Sequence, residues 1–365
     1  MLITLLSLSI FALALVLLNS VSIVTVKNRP SETVDEVVAV LIPMRNEEAH
    51  VNGVLRAVAA SREISTLRIY VLDDSSTDRT RELVQALMPE IPNLHLLSGK
   101  ALEAGWMGKP FACHQLSERA IADGADYLIF LDADTRITPS AISASLSAMR
   151  GHGWDFISPH PQELAHSPIA RLIQPLMQWS WFASVPVRLG IRFRVPSMAI
   201  ANGQFIIFHA DAYTTAGGHG VVKNEVLEDL EIARAMVRSG HTGGVAVASD
   251  VARCQMYQND AELRTGYGKS LWRAFGSPFG AVIAATLLVG TQTLPFLLAL
   301  AGSLVAWKVY CINALAHLLV AVKTRSNPIN TFAHPVAIIL LVSLIIDSFR
   351  AKSHGKLQWK ERVIG

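Results

Sequence analysis

Three short, mostly apolar runs in this chain each stop at acidic or polar residues, and no other feature constrains the fold as strongly. Residues 36–42 run into Pro43-Met44-Arg45-Asn46-Glu47. Residues 67–72 run into Asp73-Asp74-Ser75-Ser76, and residues 127–131 into Asp132-Ala133-Asp134-Thr135. Runs this short, apolar and bounded by polar residues read as buried strands. Residues 94–97 read as a further strand. Between them lie helical stretches: 46–60 with Asn46 as N-cap and Glu47 and Glu48 in the first turn, one capped by Thr77 that runs to 88, and 111–123. This alternation predicts an α/β fold with a Rossmann-like, mainly parallel sheet covered by helices. Such sheets bind ligands at the carboxyl ends of their strands, where all three polar clusters fall.

Two carboxylates one residue apart at a buried strand tip repel each other. A divalent cation carried in by a diphosphate offsets that repulsion. Mg²⁺ or Mn²⁺ prefers one or two carboxylates plus substrate phosphates to an all-protein cage. Asp132-Ala133-Asp134 alone also fits an ordinary strand-end turn; three polar strand ends in register point to a nucleotide-diphosphate site. No G-x-G-x-x-G follows the first strand and no G-x-x-x-x-G-K-[ST] occurs, which disfavours a dinucleotide dehydrogenase and a P-loop NTPase.

Of the 365 residues 51% are hydrophobic and 17% charged, an apolar balance concentrated at the two ends. Residues 2–26 carry no charge and are long enough to span a bilayer. No basic region precedes them and no A-x-A site follows, so they read as an uncleaved anchor rather than a secretory signal. Lys27 and Arg29 then place the middle of the chain in the cytoplasm. Residues 279–307 can span again, and shorter apolar runs cover 309–322 and 331–346. Lys323 and Arg325 separate these two, and Arg350, Lys352, Lys356, Lys360 and Arg362 follow. Both basic clusters favour the cytoplasm, which one spanning helix between them cannot satisfy; a tilted, re-entrant or interfacial run stays open. The domains expected are an anchor over 1–27, a catalytic domain over 36–275, a transmembrane region over 279–350 and a basic cytoplasmic tail over 351–365. A net charge of +3 is too small to imply nucleic acid; the basic residues near the apolar ends suit anionic membrane lipids. Cys113, Cys254 and Cys311 form no metal spacing or disulfide framework, as in a reducing cytoplasm. His160, His166, His209 and His219 are scattered, and none reads as a metal ligand.

Four motifs in order resemble family 2 glycosyltransferases of the GT-A fold. They are Leu41-Ile42-Pro43-Met44-Arg45-Asn46-Glu47-Glu48, Val71-Leu72-Asp73-Asp74-Ser75-Ser76-Thr77-Asp78, Leu131-Asp132-Ala133-Asp134, and Leu227-Glu228-Asp229-Leu230, the last similar to that family's "ED" motif. The resemblance covers residues 36 to about 275. A narrower similarity, to bacterial carotenoid (diaponeurosporenoate-type) and hopanoid-associated membrane glycosyltransferases, rests on further segments. These are Gly105-Trp106-Met107-Gly108-Lys109-Pro110, Asn202-Gly203-Gln204-Phe205, Gly217-Gly218-His219, Gln255-Met256-Tyr257 and the tail Trp359-Lys360-Glu361-Arg362. The stretch from Gly266 to Arg273 has the residue types of the Q-x-x-R-W motif of processive synthases but not its spacing.

The resemblance implies a membrane-bound inverting enzyme of the cell inner membrane with its catalytic domain cytoplasmic. It would move a hexose from a nucleotide sugar, UDP-glucose, to a lipid-soluble acceptor such as a carotenoid or hopanoid. The alternatives are a polyprenyl-phosphate sugar transferase or short polysaccharide synthase, and an inactive GT-A membrane scaffold. Asp134, with Asp132, would hold the Mg²⁺ or Mn²⁺, and Asp132 would also approach the ribose. Asp73 and Asp74 would read the base; Pro43, Arg45 and Glu47 would flank the nucleotide. Asp229 would be the general base and Glu228 its orienting neighbour. Lys109 would contact the diphosphate. Lys269, Trp272 and Arg273 either close over the donor or form a membrane-interface girdle. Residues 167–194, with Trp179, Trp181, Phe182 and four arginines, suit a helix lying in the membrane surface, through which a lipid acceptor could arrive.

Overall fold

The computed structural model describes residues 1–354 and the backbone of a short strand pair, Gln358–Trp359 with Arg362–Val363. The side chains of the expected basic tail beyond His354 lie outside the described residues, including the Trp359-Lys360-Glu361-Arg362 ending. The chain divides into two compact units, one of residues 24–162 and 189–254, the other of residues 1–23, 163–188 and 255–365. The expected boundaries shift: 163–188 and 255–275 group with the apolar helices instead of the α/β domain.

The first unit is an α/β sandwich. Its strands in chain order are β1 Val34–Met44, β2 Ile64–Asp73, β3 Leu94–Ser98, β4 Tyr127–Leu131, β5 Thr135–Ile137, β6 Phe156–His160, β7 Gln162–Glu163, β8 Phe205–His209, β9 Gly243–Val247 and β10 Ala252–Cys254. Seven of them form one sheet in the order β3-β2-β1-β4-β8-β6-β9, parallel except for β8, which runs antiparallel to both β4 and β6. The sheet is buried on both faces because successive residues of β1 serve opposite layers. Val38, Val40 and Ile42 pack with the helix Val51–Ala59, while Ala39 and Leu41 pack with the helix Gly108–Ala122. Pro43 pairs with Leu72 and Met44 with Asp73, so the polar tips of β1 and β2 lie side by side.

The first loop departs from the expected helix over 46–60. The helix begins at Val51, and Asn46 is left-handed at φ 52°. Its side chain caps the neighbouring loop: Thr77 N–H donates to Asn46 Oδ1 at 2.8 Å, and Asn46 N–H to Ser76 Oγ at 3.0 Å. Glu47 N–H donates to Thr80 Oγ1 at 2.7 Å and Arg79 N–H to Glu48 Oε2 at 3.1 Å. Polar side chains that bond nearby backbone groups compete with helix, and here they win. The next helix likewise starts at Thr80 rather than Thr77, with Asp78 Oδ1 accepting from Thr80 N–H at 2.9 Å.

The expected anchor also ends early. Its helix stops at Ser22, and Val24 and Val26 pair with Val247 at the edge of β9, which would otherwise expose unpaired backbone.

Among the described residues of the second unit, four helices are long and apolar enough to cross a membrane: Leu2–Ser22, Pro278–Leu300, Leu304–Thr324 and Pro328–Ser353. The expected run 279–307 is broken at Gly302 (φ 94°), and Ser303 caps the next helix through Ala306 N–H. A π-turn at Val289–Thr293 disturbs the helical ladder, and polar side chains bond backbone around it. Asn313 Nδ2 donates to Thr291 O at 2.8 Å and Thr293 Oγ1 to Pro335 O at 3.1 Å. Such compensation is what apolar surroundings demand. The segment expected in the membrane surface forms the helix Pro168–Ser184 and the short helix Val187–Arg192. Trp179 and Phe182 are buried, Trp179 stacking on His317 at 4.3 Å between ring centres. Asn19 Nδ2 donates to the carbonyls of Phe182 and Val185 at 2.8 and 2.7 Å, satisfying the end of that helix.

Candidate active site

Strand ends, two helix starts and one loop build a charged cluster in the α/β unit. The sequence suggests a glycine-bounded loop around Lys109; the residue instead sits in the first turn of the helix Gly108–Ala122. Its Nζ lies 2.8 Å from Asp132 Oδ1, 3.0 Å from Asp132 Oδ2 and 3.1 Å from Glu228 Oε1. Burial opposes the ammonium, but these two carboxylates outweigh it and hold its pKa well above the ordinary lysine range.

Glu228 and Asp229 open the helix Glu228–Arg238. Gly203 N–H donates to Asp229 Oδ2 and Leu230 N–H to Asp229 Oδ1, each at 2.8 Å. Burial, then repulsion from Glu228, raise the Asp229 carboxyl to about 6, against the pull of Lys109 and the two N–H donors. The residue as a whole is half-buried, and each carboxyl oxygen has lone-pair capacity left.

Gly203 reaches Asp229 because Asp132 N–H donates to Gln204 O at 3.0 Å, which leads the chain into β8 beside β4. A Cβ at Gly203 would lie 3.2 Å from Asp229 Cβ and 3.3 Å from Lys109 Nζ, so a side chain here would crowd both residues. Sequence reading used Asn202-Gly203-Gln204 only as a resemblance and missed its contact with Asp229. His219 was missed as well, although Gly217-Gly218-His219 marks it. A small cavity here is lined by Pro43, Lys109, Asp132, Gly203, His219 and Asp229, with apolar walls.

Burial and repulsion from Asp132 push the Asp134 carboxyl up, partly opposed by a hydrogen bond with Cys254, by His50 and by Lys109. An adjacent pair of acids in which one is held from ionising easily is short of positive charge. That donor set fits a cation brought by phosphates. Among the described residues no group of three or more His, Cys, Asp or Glu is arranged to hold a metal by itself.

At the tips of β1 and β2, Arg45 Nη1 donates to the Asp74 carbonyl at 2.6 Å. Asp73 Oδ1 accepts from Ser76 N–H at 3.1 Å, and Asp73 Oδ2 lies 3.6 Å from Arg81. The Asp73 side chain is thus engaged in its own loop, while Glu47 is placed by its backbone bond to Thr80. Lys269, Trp272 and Arg273 stand on the helix Asp260–Ala274 of the other unit. There Trp272 N–H donates to Ser348 Oγ at 2.9 Å, and Lys352 Nζ lies 3.7 Å over its ring.

Residues 39–213 match the model of glycosyl transferase family 2. Among solved structures, the mannosyltransferase of Pyrobaculum calidifontis in complex with GDP-Man and Mn²⁺ superposes with a TM-score of 0.55 at 15% identity, over 97% of this chain and 100% of that one. TarS (residues 1–349) of S. aureus in complex with UDP gives a TM-score of 0.43 at 12% identity, over 83% of this chain and 91% of that one. Glucosyl-3-phosphoglycerate synthase of Mycobacterium tuberculosis, with Mn²⁺, UDP and phosphoglyceric acid, gives 0.44 at 17% identity, over 70% and 86%. No curated protein matches the sequence significantly. Residues 39–213 are therefore a glycosyl transferase family 2 domain, and the chain shares the GT-A fold of that solved mannosyltransferase.

Proposed function

We propose that this chain is a membrane-bound inverting hexosyltransferase that takes its sugar from UDP-glucose and gives it to a lipid-soluble acceptor such as a carotenoid acid or a hopanoid. The observation that carries the reading is Asp229, raised to about 6 beside the Lys109 bridge from Asp132 to Glu228, in a chain whose described residues include four helices apolar enough to span. A base with a pKa near the working pH combines the right protonation state with driving force for proton transfer.

Asp229 takes the proton of the acceptor hydroxyl as that oxygen attacks the sugar C1 from the face opposite the diphosphate. The bond from C1 to the phosphate oxygen breaks, and the nucleoside diphosphate leaves with the electron pair. Glu228 shares Lys109 with Asp132, so the ammonium stands between the diphosphate side and the base side. Asp134, with Asp132, would hold a divalent cation carried by the donor, which would supply charge to offset the leaving group. Asp73 or Asp74 accepts from the base N–H, and Pro43, Arg45 and Glu47 wall the nucleotide. Trp272 and Lys352 serve as an interface girdle. Lys27 and Arg29, just past the first helix, orient the α/β unit to the cytoplasmic face of the inner membrane.

Lipid extracts from expressing and non-expressing cells, compared by mass, test the reading. A lipid heavier by one hexose in the expressing cells is expected; identical lipid profiles would contradict it.

A further inference from the structure

His219 is buried and lines the same cavity as Lys109, Asp132, Gly203 and Asp229. A chain of hydrogen bonds fixes its tautomer. Ser117 Oγ donates to the His114 carbonyl at 2.8 Å, and a carbonyl can only accept. With its own hydrogen used, Ser117 Oγ is the acceptor for the Tyr213 hydroxyl at 3.1 Å. The Tyr213 oxygen, its hydrogen given to Ser117, accepts from the His219 backbone N–H at 3.0 Å and faces His219 Nδ1 at 2.7 Å. Nδ1 must therefore carry the ring hydrogen. Burial, then repulsion from Lys109 and His114, lower the imidazole to about 3, so the ring is neutral near pH 7. Neutral imidazole with Nδ1 protonated leaves Nε2 as a lone-pair acceptor. Phe130 braces the ring at 4.6 Å between centres. Among the described residues the ring's hydrogen bonding goes through Nδ1, and nothing donates to Nε2.

We infer that His219 Nε2 accepts a hydroxyl hydrogen of the hexose under transfer, so that His219 selects the sugar; this rests on the nucleotide-hexose reading. A buried acceptor calls for a donor. The diphosphate offers only acceptors, and the base belongs beside Asp73 and Asp74. Asp229, on the same cavity, must stand beside the sugar C1. The hexose is thus the part of the donor that both reaches this cavity and carries O–H groups. Tyr213 and Ser117 are positioning residues that aim the lone pair.

The test uses the full-length protein in detergent with UDP-glucose and its 2-, 3-, 4- and 6-deoxy analogues. In the wild type one analogue should lose roughly 10- to 100-fold in kcat/KM, the range set by one unsatisfied buried group. His219→Phe, which keeps a ring against Phe130, should lose a similar factor on UDP-glucose while treating that analogue and the parent alike. If His219→Phe turns over UDP-glucose normally, or ranks the analogues as the wild type does, the inference is wrong. If the wild type turns over no nucleotide hexose, the function reading itself fails and takes the inference with it. The ¹⁵N spectrum of histidine-labelled wild type guards against a variant that fails to fold. Nδ1 protonated and Nε2 bare, with Nε2 shifting when donor is added, is the expected signature. Protonated Nε2, or no shift in a protein that binds donor, would overturn the inference.

Discussion

Lys109 places one positive charge between two carboxylates, and Asp229 next to it is raised to about 6. The direction of the pH effect follows. A base must be ionised, so transfer should fall as pH drops through about 6 and level off above it. Asp229→Asn should bind nucleotide nearly as well as wild type while losing about 10²- to 10⁴-fold in transfer. Titration calorimetry alongside turnover checks this; equal loss of nucleotide binding would move Asp229 into the donor site. The acids at this site were legible in the sequence because strand ends in a parallel sheet are predictable places. Gly203 and His219 were not, because their roles depend on how β8 and the turn before the helix Glu228–Arg238 fold back, which no local pattern encodes.

At the scale of elements, the loops after β1 and β2 are held by mutual backbone-to-side-chain bonds, not by the helix caps that the composition suggests. The residues were read correctly as polar and cap-forming; their partners lie about thirty positions away, beyond the reach of local signals. Asn46 carries two separable jobs, a bond to Thr77 N–H and a left-handed backbone. Asn46→Gly keeps the second and should cost about 1 kcal/mol. Asn46→Ala gives up both and should cost about 1–2 kcal/mol more. Thermal unfolding of the two variants checks the order; equal melting points would remove the backbone from the account. The aromatic stripe of the helix Pro168–Ser184 was legible as amphipathic, yet amphipathicity alone does not say whether the partner is lipid or protein. Trp179 and Phe182 are buried in their own unit.

For the whole molecule, the sequence made the division into α/β and apolar parts plain, but placed their boundaries by charge alone. Packing moves 163–188 and 255–275 to the helical unit and gives residues 24–26 to the sheet edge. On the proposed role of Asp132 and Asp134, donor turnover needs a divalent cation. A chelator should abolish turnover, and Mn²⁺ or Mg²⁺ should restore it. Asp134→Asn should stay folded, lose nearly all activity and no longer gain nucleotide affinity from the metal in calorimetry. Full activity in chelator would contradict the metal assignment. The most direct test of the central claim is to reconstitute the purified chain in lipid vesicles with UDP-glucose and a bacterial lipid extract, then weigh the lipids by mass spectrometry. The account predicts a lipid gaining one hexose as UDP is released, with the product absent when Asp229→Asn replaces the wild type. UDP release with no hexosylated lipid, or equal product from both proteins, would contradict it.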